Sequence, residues 1–225
     1  MDRRFTHIRD WIFDLDNCLY PASTGLFSLI DERMGKYIER LLDCDSEEAK
    51  RVQKAHFHAH GTTLAGLMKE HDIDAHDFLQ DVHDIPLDRI QADERLAGLL
   101  ARLPGRRFVF TNGDALYARR VLEAIGVDRH FDDLHDIHAS GLRPKPDPHG
   151  YALLCERFGI DPAQALLADD MVKNLGPAKA LGMTTIWVDN GSEQAGSEYD
   201  ETVVDVRVSH LGDWLESMLG GENDE

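Results

Sequence analysis

Pairs of aspartates follow two short apolar segments of the chain, at Asp14 and Asp16 and again at Asp169 and Asp170. If these side chains share one crevice, up to four carboxylates repel one another unless a hard divalent cation is present. Mg²⁺ binds carboxylate oxygens, backbone carbonyls and waters in an octahedral shell, which leaves positions for the oxygens of a phosphate group. The two pairs therefore predict a Mg²⁺ site that joins the protein to a phosphoryl group.

Three residues between the aspartate pairs have side chains or turns suited to binding the phosphate itself. Thr111 supplies a hydroxyl, and the turn at Asn112 can direct backbone amides at an anion near the start of a helix. Lys145 lies between Pro144 and Pro146, which restrict the backbone and hold the ammonium group toward the same crevice. Thr111, Asn112 and Lys145 are the predicted phosphate-binding residues.

Each of these clusters also has an ordinary structural explanation when it is considered alone. Asp14 with Asp16 suits a surface turn, and Asp169-Asp170 suits the solvated N-terminus of a helix. Lys145 between prolines suits an exposed loop. The order of the clusters along the chain, and their places directly after apolar segments, favour the shared site.

The apolar segments that precede the clusters have the composition of buried strands. Residues 11–13, 107–110 and 165–168 form short segments that are apolar apart from Arg107, and each ends abruptly in polar residues. Helical patterns follow the second and third segments, and residues 184–188 and 203–208 predict further strands before a terminal helix. This alternation predicts an α/β fold with a doubly wound, parallel, Rossmann-like sheet, whose ligand crevice lies at the carboxyl ends of the strands.

The long segment between the first two predicted strands has a helical pattern. Apolar residues recur at helical spacing from Leu26 to Leu41, and Asp45 and Asp74 suit the N-caps of two more helices. A crossover between neighbouring parallel strands needs little more than about a dozen residues. Residues 21–91 are therefore predicted to form an inserted helical cap domain, and residues 1–20 and 92–225 a core that is discontinuous in sequence.

Composition and charge restrict the class of protein. The chain has 225 residues, of which 42% are hydrophobic, as expected for a folded globular protein. Acidic residues exceed basic ones by 42 − 24 = 18, which disfavours binding to a nucleic-acid polymer or an anionic membrane. No apolar run approaches the roughly 20 residues that span a bilayer, and no export pattern is seen, so a cytoplasmic location is expected. Cys18, Cys44 and Cys155 are expected to be reduced thiols.

Histidines at positions 56, 58 and 60 suggest a second metal site, which is weighed against simpler interpretations. On a helix His56 and His60 share one face, whereas His58 points away from it. A titrating surface, or a substrate-facing end near Gly61, is therefore the preferred interpretation. Cys18 has no adjacent base, so it is interpreted as buried packing rather than as a nucleophile.

Taken in order, the chemistry-bearing residues resemble the four motifs of the haloacid dehalogenase superfamily. The matching stretches are Asp14-Leu-Asp16-Asn-Cys, Thr111-Asn112, Lys145 and Asp169-Asp170, and the resemblance spans nearly the whole chain. It implies a phosphatase in which Asp14 attacks phosphorus and forms an aspartyl phosphate. It also implies that Asp16 protonates the leaving alkoxide and later activates water.

The same resemblance implies the ligands of the metal ion. Asp14, the backbone carbonyl of Asp16 and Asp170 would contact Mg²⁺, and Asp169 would either contact it through water or orient a ligand. The predicted helical insertion matches the position of the family's cap, which closes over the site and carries substrate selectivity. Such closure would exclude bulk water from the reaction.

Two longer stretches resemble the pyrimidine 5′-nucleotidase branch of the superfamily. They are residues 13–21, FDLDNCLYP, and residues 61–67, GTTLAGL. The resemblance implies release of phosphate from nucleotides such as UMP or CMP, with Thr62 and Thr63 as candidate substrate contacts. Met171 stands where the branch often has Ser, and Cys18 stands where many superfamily members have Thr.

Other functions stay open on the sequence alone. They are a phosphatase for sugar phosphates or phosphoglycolate, a haloacid dehalogenase and a phosphorylated signalling receiver. Carbon–halogen cleavage needs no leaving-group acid or phosphate metal site, so Asp16 and the Asp169-Asp170 pair disfavour it. The motif order and the helical insertion disfavour a receiver. The expected partner is a small phosphate monoester, and the sequence does not decide whether the protein is a homodimer.

Overall fold

A six-stranded parallel sheet lies at the centre of the computed structural model, which describes residues 1–191 and 200–220. Its strand order is β3-β2-β1-β4-β5-β6, and every neighbouring pair is parallel. The strands are β1 (Asp10–Phe13), β2 (Arg106–Phe110), β3 (Asp133–His135), β4 (Ala165–Asp169), β5 (Thr184–Val188) and β6 (Val206–Val208).

Nine α-helices connect and cover these strands within the described ranges. They are α1 (Leu26–Leu42), α2 (Ser46–His60), α3 (Thr63–His71), α4 (Ala75–His83), α5 (Glu94–Ala101), α6 (Ala115–Ala124), α7 (Pro148–Phe158), α8 (Val172–Leu181) and α9 (Leu211–Gly220). Helices lie on both faces of the sheet, since successive side chains of β1 enter different cores: Trp11 and Phe13 pack into one apolar cluster and Ile12 into the other. The predicted doubly wound α/β fold is confirmed.

The strand order determines where a ligand can bind. The chain adds β2 and then β3 on one side of β1, and then returns to place β4 on the other side. The loops after β1 and β4 therefore diverge, and in open α/β sheets ligands bind at this switch point. A signalling receiver has the order 2-1-3-4-5 instead, so the observed sheet argues against the receiver alternative.

Four helices, α1 to α4, lie between β1 and α5, and no strand interrupts them. α1 packs on α2 and α4, and α3 contacts both α2 and α4. Asp45 caps α2 by accepting from the Glu48 amide, and Asp74 caps α4, as the sequence predicts. The division into a cap at residues 21–91 and a two-part core stays a prediction.

Some elements differ from the sequence-based prediction. The helices α5 and α7 and the short strand β3 were not predicted. Asp147 caps α7 and Pro148 lies in its first turn, which is a helix-start signal that the sequence-based prediction assigned to the proline-rich loop. The last strand is shorter than the predicted 203–208, because Glu201–Val203 forms a 3₁₀ turn and β6 starts at Val206.

No helix in the described part of the chain is long and apolar enough to cross a bilayer. The three cysteines are free thiols, as expected. Cys18 is buried, and burial raises the pKa of its thiol, which supports its interpretation as a packing residue.

A buried histidine in β3 gives the fold a testable pH dependence. His135 is 1% exposed and packs against the rings of Phe110 and Phe158, and neither ring nitrogen has a partner among the described residues. Burial lowers the pKa of His135 from 6.5 to about 4. Because the folded pKa lies below the unfolded one, the neutral ring stabilises the fold above about pH 6.5, and this contribution is lost as the pH falls toward 4.

We expect the free energy of unfolding to fall by up to about 3 kcal/mol across that window on account of His135. In His135→Leu the side chain cannot titrate, so this part of the pH dependence of the free energy of unfolding should be absent. The measurement is urea unfolding at a series of pH values. His7→Leu, at an exposed histidine, is the matched control. An unchanged slope in His135→Leu would contradict the assignment.

Candidate active site

The predicted site residues converge at the carboxyl ends of β1, β2 and β4. Asp14 directly follows β1, Thr111 follows β2, and Asp169 ends β4. Parallel pairing of β1 with both other strands places these ends side by side. They border a cavity of about 710 Å³. The predicted site residues on its wall are Asp14, Asp16, Thr62, Thr63, Thr111, Asn112, Lys145 and Asp170.

Lys145 lies at the centre of the group and joins its carboxylates. Its Nζ donates to Asp14 Oδ1 at 2.8 Å, to Asp169 Oδ2 at 2.7 Å and to the Phe110 carbonyl at 2.8 Å. Asn112 holds the loop in place, since its Oδ1 accepts from the Lys145 amide at 2.7 Å and its Nδ2 donates to the Lys145 carbonyl. The amide side chain of Asn112 therefore positions Lys145.

Burial and neighbouring charges shift the pKa values of Asp14 and Lys145, and each of these two groups affects the pKa of the other. Burial raises the pKa of Asp14 well above its usual value, while Lys145 opposes the rise and Asp169 adds to it. Burial disfavours the charged ammonium of Lys145, but Asp14 and Asp169 outweigh it and raise the pKa of that group. Lys145 is thus a fixed positive charge inside the protein.

Three carboxylates lie close enough to share one cation. Asp14, Asp169 and Asp170 are buried, and each offers an oxygen within 4.8 Å of the others. With all three carboxylates ionised and Lys145 protonated, the group would carry three negative charges and one positive charge, which a divalent cation would balance. Oxygen donors of this kind are the ligands that Mg²⁺ prefers. The donor set therefore fits the predicted metal.

Asp169 and Asp170 differ in their surroundings. Asp169 is 0% exposed, and besides Lys145 it accepts from the Met171 amide and from Asn174 Nδ2, both at 2.9 Å on Oδ1. Asp170 lies on the cavity wall, and its backbone carbonyl accepts from Trp187 Nε1 at 3.0 Å. Asp169 is thus fixed by hydrogen bonds to other protein groups, whereas Asp170 faces the cavity.

The carboxylate of Asp16 contacts two tyrosines and is not part of the group formed by Asp14, Asp169 and Asp170. Tyr20 and Tyr117 donate to the same oxygen, Oδ1, at 2.5 and 2.6 Å. The ring of Tyr117 stacks on His83 from α4, with centroids 4.3 Å apart and an interplanar angle of 10°. His83 Nδ1 in turn bonds Asp114, which caps α6. Contacts from the inserted helices thus reach the side chain that positions Asp16.

Sequence reasoning did not identify these tyrosines or Asn174. Tyr20 stands in the stretch that carries the branch resemblance, four residues after Asp16, which is the only available signal. Tyr117 is 101 residues from Asp16 in the chain, so only the packing of α6 brings them together. Asn174 lies in the first turn of α8, where its amide reaches back to Asp169.

The loop between α2 and α3 closes one side of the cavity. Thr62 caps α3 by accepting from the Ala65 amide at 3.1 Å, and Thr63 begins that helix. The carbonyl of Gly61 accepts from Lys173 of α8 at 3.2 Å. Since a Cβ at Gly61 would lie 3.9 Å from the Lys145 carbonyl, this loop contacts the core beside the central lysine.

Helix α2 supplies a basic wall opposite the aspartates. Lys50, Lys54 and His58 line the cavity from this helix. His58 is exposed, whereas His56 is buried and its ring lies 6.0 Å from that of His60. This confirms that His56 and His60 share a face from which His58 points away. Burial lowers the pKa of His56, which favours its neutral form.

Removal of the central lysine should destabilise the fold. Lys145→Met keeps the length of the side chain but leaves Asp14 and Asp169 buried without their counter-ion. Loss of one partner of a buried ion pair costs about 3–5 kcal/mol. We expect a loss of that size in urea unfolding without divalent cations, and partial recovery when Mg²⁺ is added.

Lys173→Met is the matched control, because Lys173 is an exposed lysine that donates to the Gly61 carbonyl and interacts electrostatically with Asp169 and Asp170. Its expected change is under about 1 kcal/mol, as for surface charges. A change in Lys145→Met no larger than in this control would contradict the central placement of Lys145.

Comparison with known proteins supplies an independent view of the chain. The family model of haloacid dehalogenase-like hydrolases matches residues 11–182. Phosphate metabolism protein 8 of Saccharomyces cerevisiae is 28% identical over 193 residues, which cover 77% of this chain and 59% of that protein. The phosphoglycolate phosphatase of Escherichia coli K12 is 24% identical over 246 residues, covering 96% of this chain and 94% of its own.

The chain spans only 50% to 59% of the length of the first curated relatives that it matches. Among solved structures, a HAD phosphatase from Thermococcus onnurineus superposes with a TM-score of 0.63 at 18% identity. That superposition covers 96% of this chain and 99% of the other. At this identity the likeness concerns the fold, which agrees with the doubly wound sheet.

Proposed function

Since this chain belongs to the haloacid dehalogenase-like hydrolase family, we propose that it is a Mg²⁺-dependent phosphomonoester hydrolase whose nucleophile is Asp14. One observation carries the proposal. Asp14 meets Lys145, Asp169 and Asp170 at the switch point of the sheet, with Asp16 two residues away on the wall of the same cavity. This combination supplies a nucleophile, a fixed cation, a metal-binding group and a proton carrier.

The reaction runs in two displacements at phosphorus. An oxygen of Asp14 forms a bond to phosphorus as the bond to the leaving oxygen breaks, and Asp16 gives that oxygen its proton. Asp16, now a carboxylate, takes a proton from water, and the resulting hydroxide oxygen attacks phosphorus. Breakage of the Asp14–phosphorus linkage releases phosphate and restores Asp14. Tyr20 and Tyr117 hold one oxygen of Asp16 during both proton transfers.

The metal ligands are proposed from the same geometry. Asp14, Asp170 and the backbone carbonyl of Asp16 would hold Mg²⁺, which as a Lewis acid would neutralise charge on the phosphoryl oxygens. Asp169 is fully buried, and its oxygens accept from Lys145, Met171 and Asn174. These contacts support an orienting role for Asp169.

Phosphate binding is assigned to Thr111, Asn112 and Lys145. The hydroxyl oxygen of Thr111 accepts from the Gly113 amide at 3.0 Å, so its proton is available for a phosphate oxygen. Lys145 provides the positive charge next to the nucleophile. Asn112 contributes by fixing the Lys145 loop and through its own backbone turn.

The proposed substrates are pyrimidine 5′-monophosphates such as UMP and CMP. The branch resemblance of residues 13–21 and 61–67 supports this class. A cavity of about 710 Å³ falls in the range of small-molecule sites, about 300–1,000 Å³. Thr62 and Thr63 lie on its wall and are the proposed contacts to the base or ribose. The free thiols support a cytoplasmic location.

A phosphate-release screen tests the substrate class. UMP, CMP, AMP, GMP, sugar phosphates and phosphoglycolate are compared with and without Mg²⁺. We expect release to require Mg²⁺ and to be fastest with the pyrimidine nucleotides. If purine nucleotides or sugar phosphates were turned over as fast as UMP and CMP, the pyrimidine assignment would be wrong, but the proposed phosphatase activity would stand. Phosphoglycolate as the best substrate would favour the activity named in the E. coli relative.

Carbon–halogen cleavage is the competing reaction on this fold. It needs no proton donor for an alkoxide and no cation-binding carboxylates, so Asp16 and Asp170 on the cavity wall disfavour it. Halide release from a 2-haloacid without Mg²⁺, together with no phosphate release from any monoester, would reverse this preference.

A further inference from the structure

Helices α2 and α3 hold a second group of metal-ligating side chains, apart from the proposed catalytic carboxylates. His56 and His60 come from α2 and Glu70 from α3, and each offers a ligand atom within 4.8 Å of the others. None of the three lines the catalytic cavity, which His58 of the same helix faces instead. We propose that His56, His60 and Glu70 bind a divalent transition-metal ion of the Zn²⁺ class.

The separations of the ligand atoms suit a single small ion. His60 Nε2 lies 3.1 Å from Glu70 Oε1, and His56 Nδ1 lies 3.8 Å from the same oxygen. With metal–ligand bonds of 2.0–2.2 Å, two ligands of a tetrahedral Zn²⁺ ion lie about 3.3 Å apart. The observed values lie on either side of that spacing, so a small adjustment of the exposed Glu70 side chain would bring both of these separations close to it.

The buried member of the group lacks the partners that a core histidine requires. His56 is 4% exposed, and its Nε2 has no hydrogen-bond partner anywhere in residues 1–191 or 200–220. Its Nδ1 is too far from Glu70 for a hydrogen bond. Burying unsatisfied polar atoms is costly, so a structural role alone explains this ring poorly. A metal ion bound through Nδ1 would give that nitrogen the partner that Glu70 is too distant to provide, while Nε2 would keep none among the described residues.

The chain also fixes the position of this ring. A Cβ placed at Gly66 would lie 2.4 Å from three atoms of His56, so only glycine lets α3 approach the imidazole so closely. The ring is therefore held against the backbone of α3, beside Glu70. Such preorganisation is what a first ligand needs if a metal site is to form with little rearrangement.

The donor atoms select the class of metal. Two imidazole nitrogens and one carboxylate oxygen suit Zn²⁺ and its neighbours Ni²⁺, Co²⁺ and Cu²⁺, whereas Mg²⁺ favours oxygen donors alone. The two sites of this chain thus differ in the hardness of their ligands. Three protein ligands leave a fourth position for water.

A bound ion would connect two parts of the inserted helices. His60 ends α2 and Glu70 lies near the end of α3, so the ion would join both helices that flank the Gly61–Thr62 turn. That turn contacts the core beside Lys145. The metal would therefore brace the loop that closes one side of the catalytic cavity. The inference does not depend on the proposed enzymatic activity.

The test is a calorimetric titration of the full chain with Zn²⁺ in the presence of excess Mg²⁺. We expect about one strong site in the wild type and weakening by more than about 100-fold in His60→Gln and in Glu70→Gln. Loss of a group that only supports a ligand already costs about 10–100-fold. His58→Gln, on the same helix but facing the cavity, is the matched control and should keep the wild-type affinity.

Thermal unfolding provides a second readout and checks that the variants fold. Zn²⁺ should raise the Tm of the wild type and of His58→Gln, and leave the Tm of the two ligand variants unchanged. The double variant should bind Zn²⁺ no better than either single variant, and the two losses should not be additive, because the ligands share one ion. No Zn²⁺ binding above the Mg²⁺ background, or equal affinity in all variants, would overturn the proposal.

Discussion

Asp14→Asn is expected to lower phosphate release by a factor on the order of 10⁴ to 10⁶, the range for loss of a nucleophile. The amide cannot form the acyl phosphate, although it can still accept a hydrogen bond from Lys145 Nζ, which lies 2.8 Å from the wild-type carboxylate. The measurement is steady-state phosphate release with UMP and Mg²⁺. The variant should also carry no acid-stable phosphate after rapid quench.

Asp10→Asn is the matched control for this experiment. Asp10 is also a buried, ion-paired aspartate of the first strand, but it lies at the opposite end and bonds Arg106 at 2.7 Å. Its replacement should lower stability and leave the turnover of the folded protein intact. If Asp14→Asn kept measurable steady hydrolysis, or if both variants lost activity equally, the nucleophile assignment would be wrong.

Asp16→Asn is expected to lower turnover of UMP by about 10²–10⁴, the usual contribution of general acid–base catalysis. The loss should depend on the leaving group. An alkoxide needs a proton from Asp16, whereas the nitrophenolate of p-nitrophenyl phosphate leaves without one. The first displacement should therefore survive in the variant with that substrate, while the water attack, which also uses Asp16, stays slow.

Rapid-mixing kinetics separate these steps. With p-nitrophenyl phosphate, Asp16→Asn should release about one equivalent of nitrophenolate in a burst, followed by slow turnover as the phosphorylated Asp14 accumulates. Asp43→Asn, at an aspartate that ends α1 outside the cavity, should behave as the wild type. A variant slowed equally with both substrates, and without a burst, would contradict the acid–base role.

The convergence of the candidate site residues was largely predictable because they follow strand ends. Buried parallel strands are apolar along their whole length, so the first polar residues after them mark the crevice. Asp14, Thr111 and Asp169 follow this rule. The N-caps Asp45 and Asp74 were predictable for a similar reason, since a short polar side chain before a helical pattern is a local signal.

Other features depend on contacts that no local pattern encodes. The contact of Tyr117 with Asp16 requires α6 to pack beside the loop after β1, and both helix and loop are otherwise ordinary in sequence. His135 gives no sign of burial, because a strand of only three residues has no measurable alternation. The partnership of His56 and His60 with Glu70 likewise needs the angle between α2 and α3.

The cavity wall has two halves that come from separate stretches of the chain. Asp14, Asp170 and Lys145 belong to the sheet and its loops, while Lys50, Lys54 and Thr62 belong to α2 and the turn after it. In the proposed enzyme, mutations of Lys50, Lys54 or Thr62 would alter which organic group is accepted, while the side chains proposed to handle phosphorus come from the other half. If the proposed roles hold, evolution or a protein engineer would be able to change the range of compounds accepted while the residues of the reaction itself are retained.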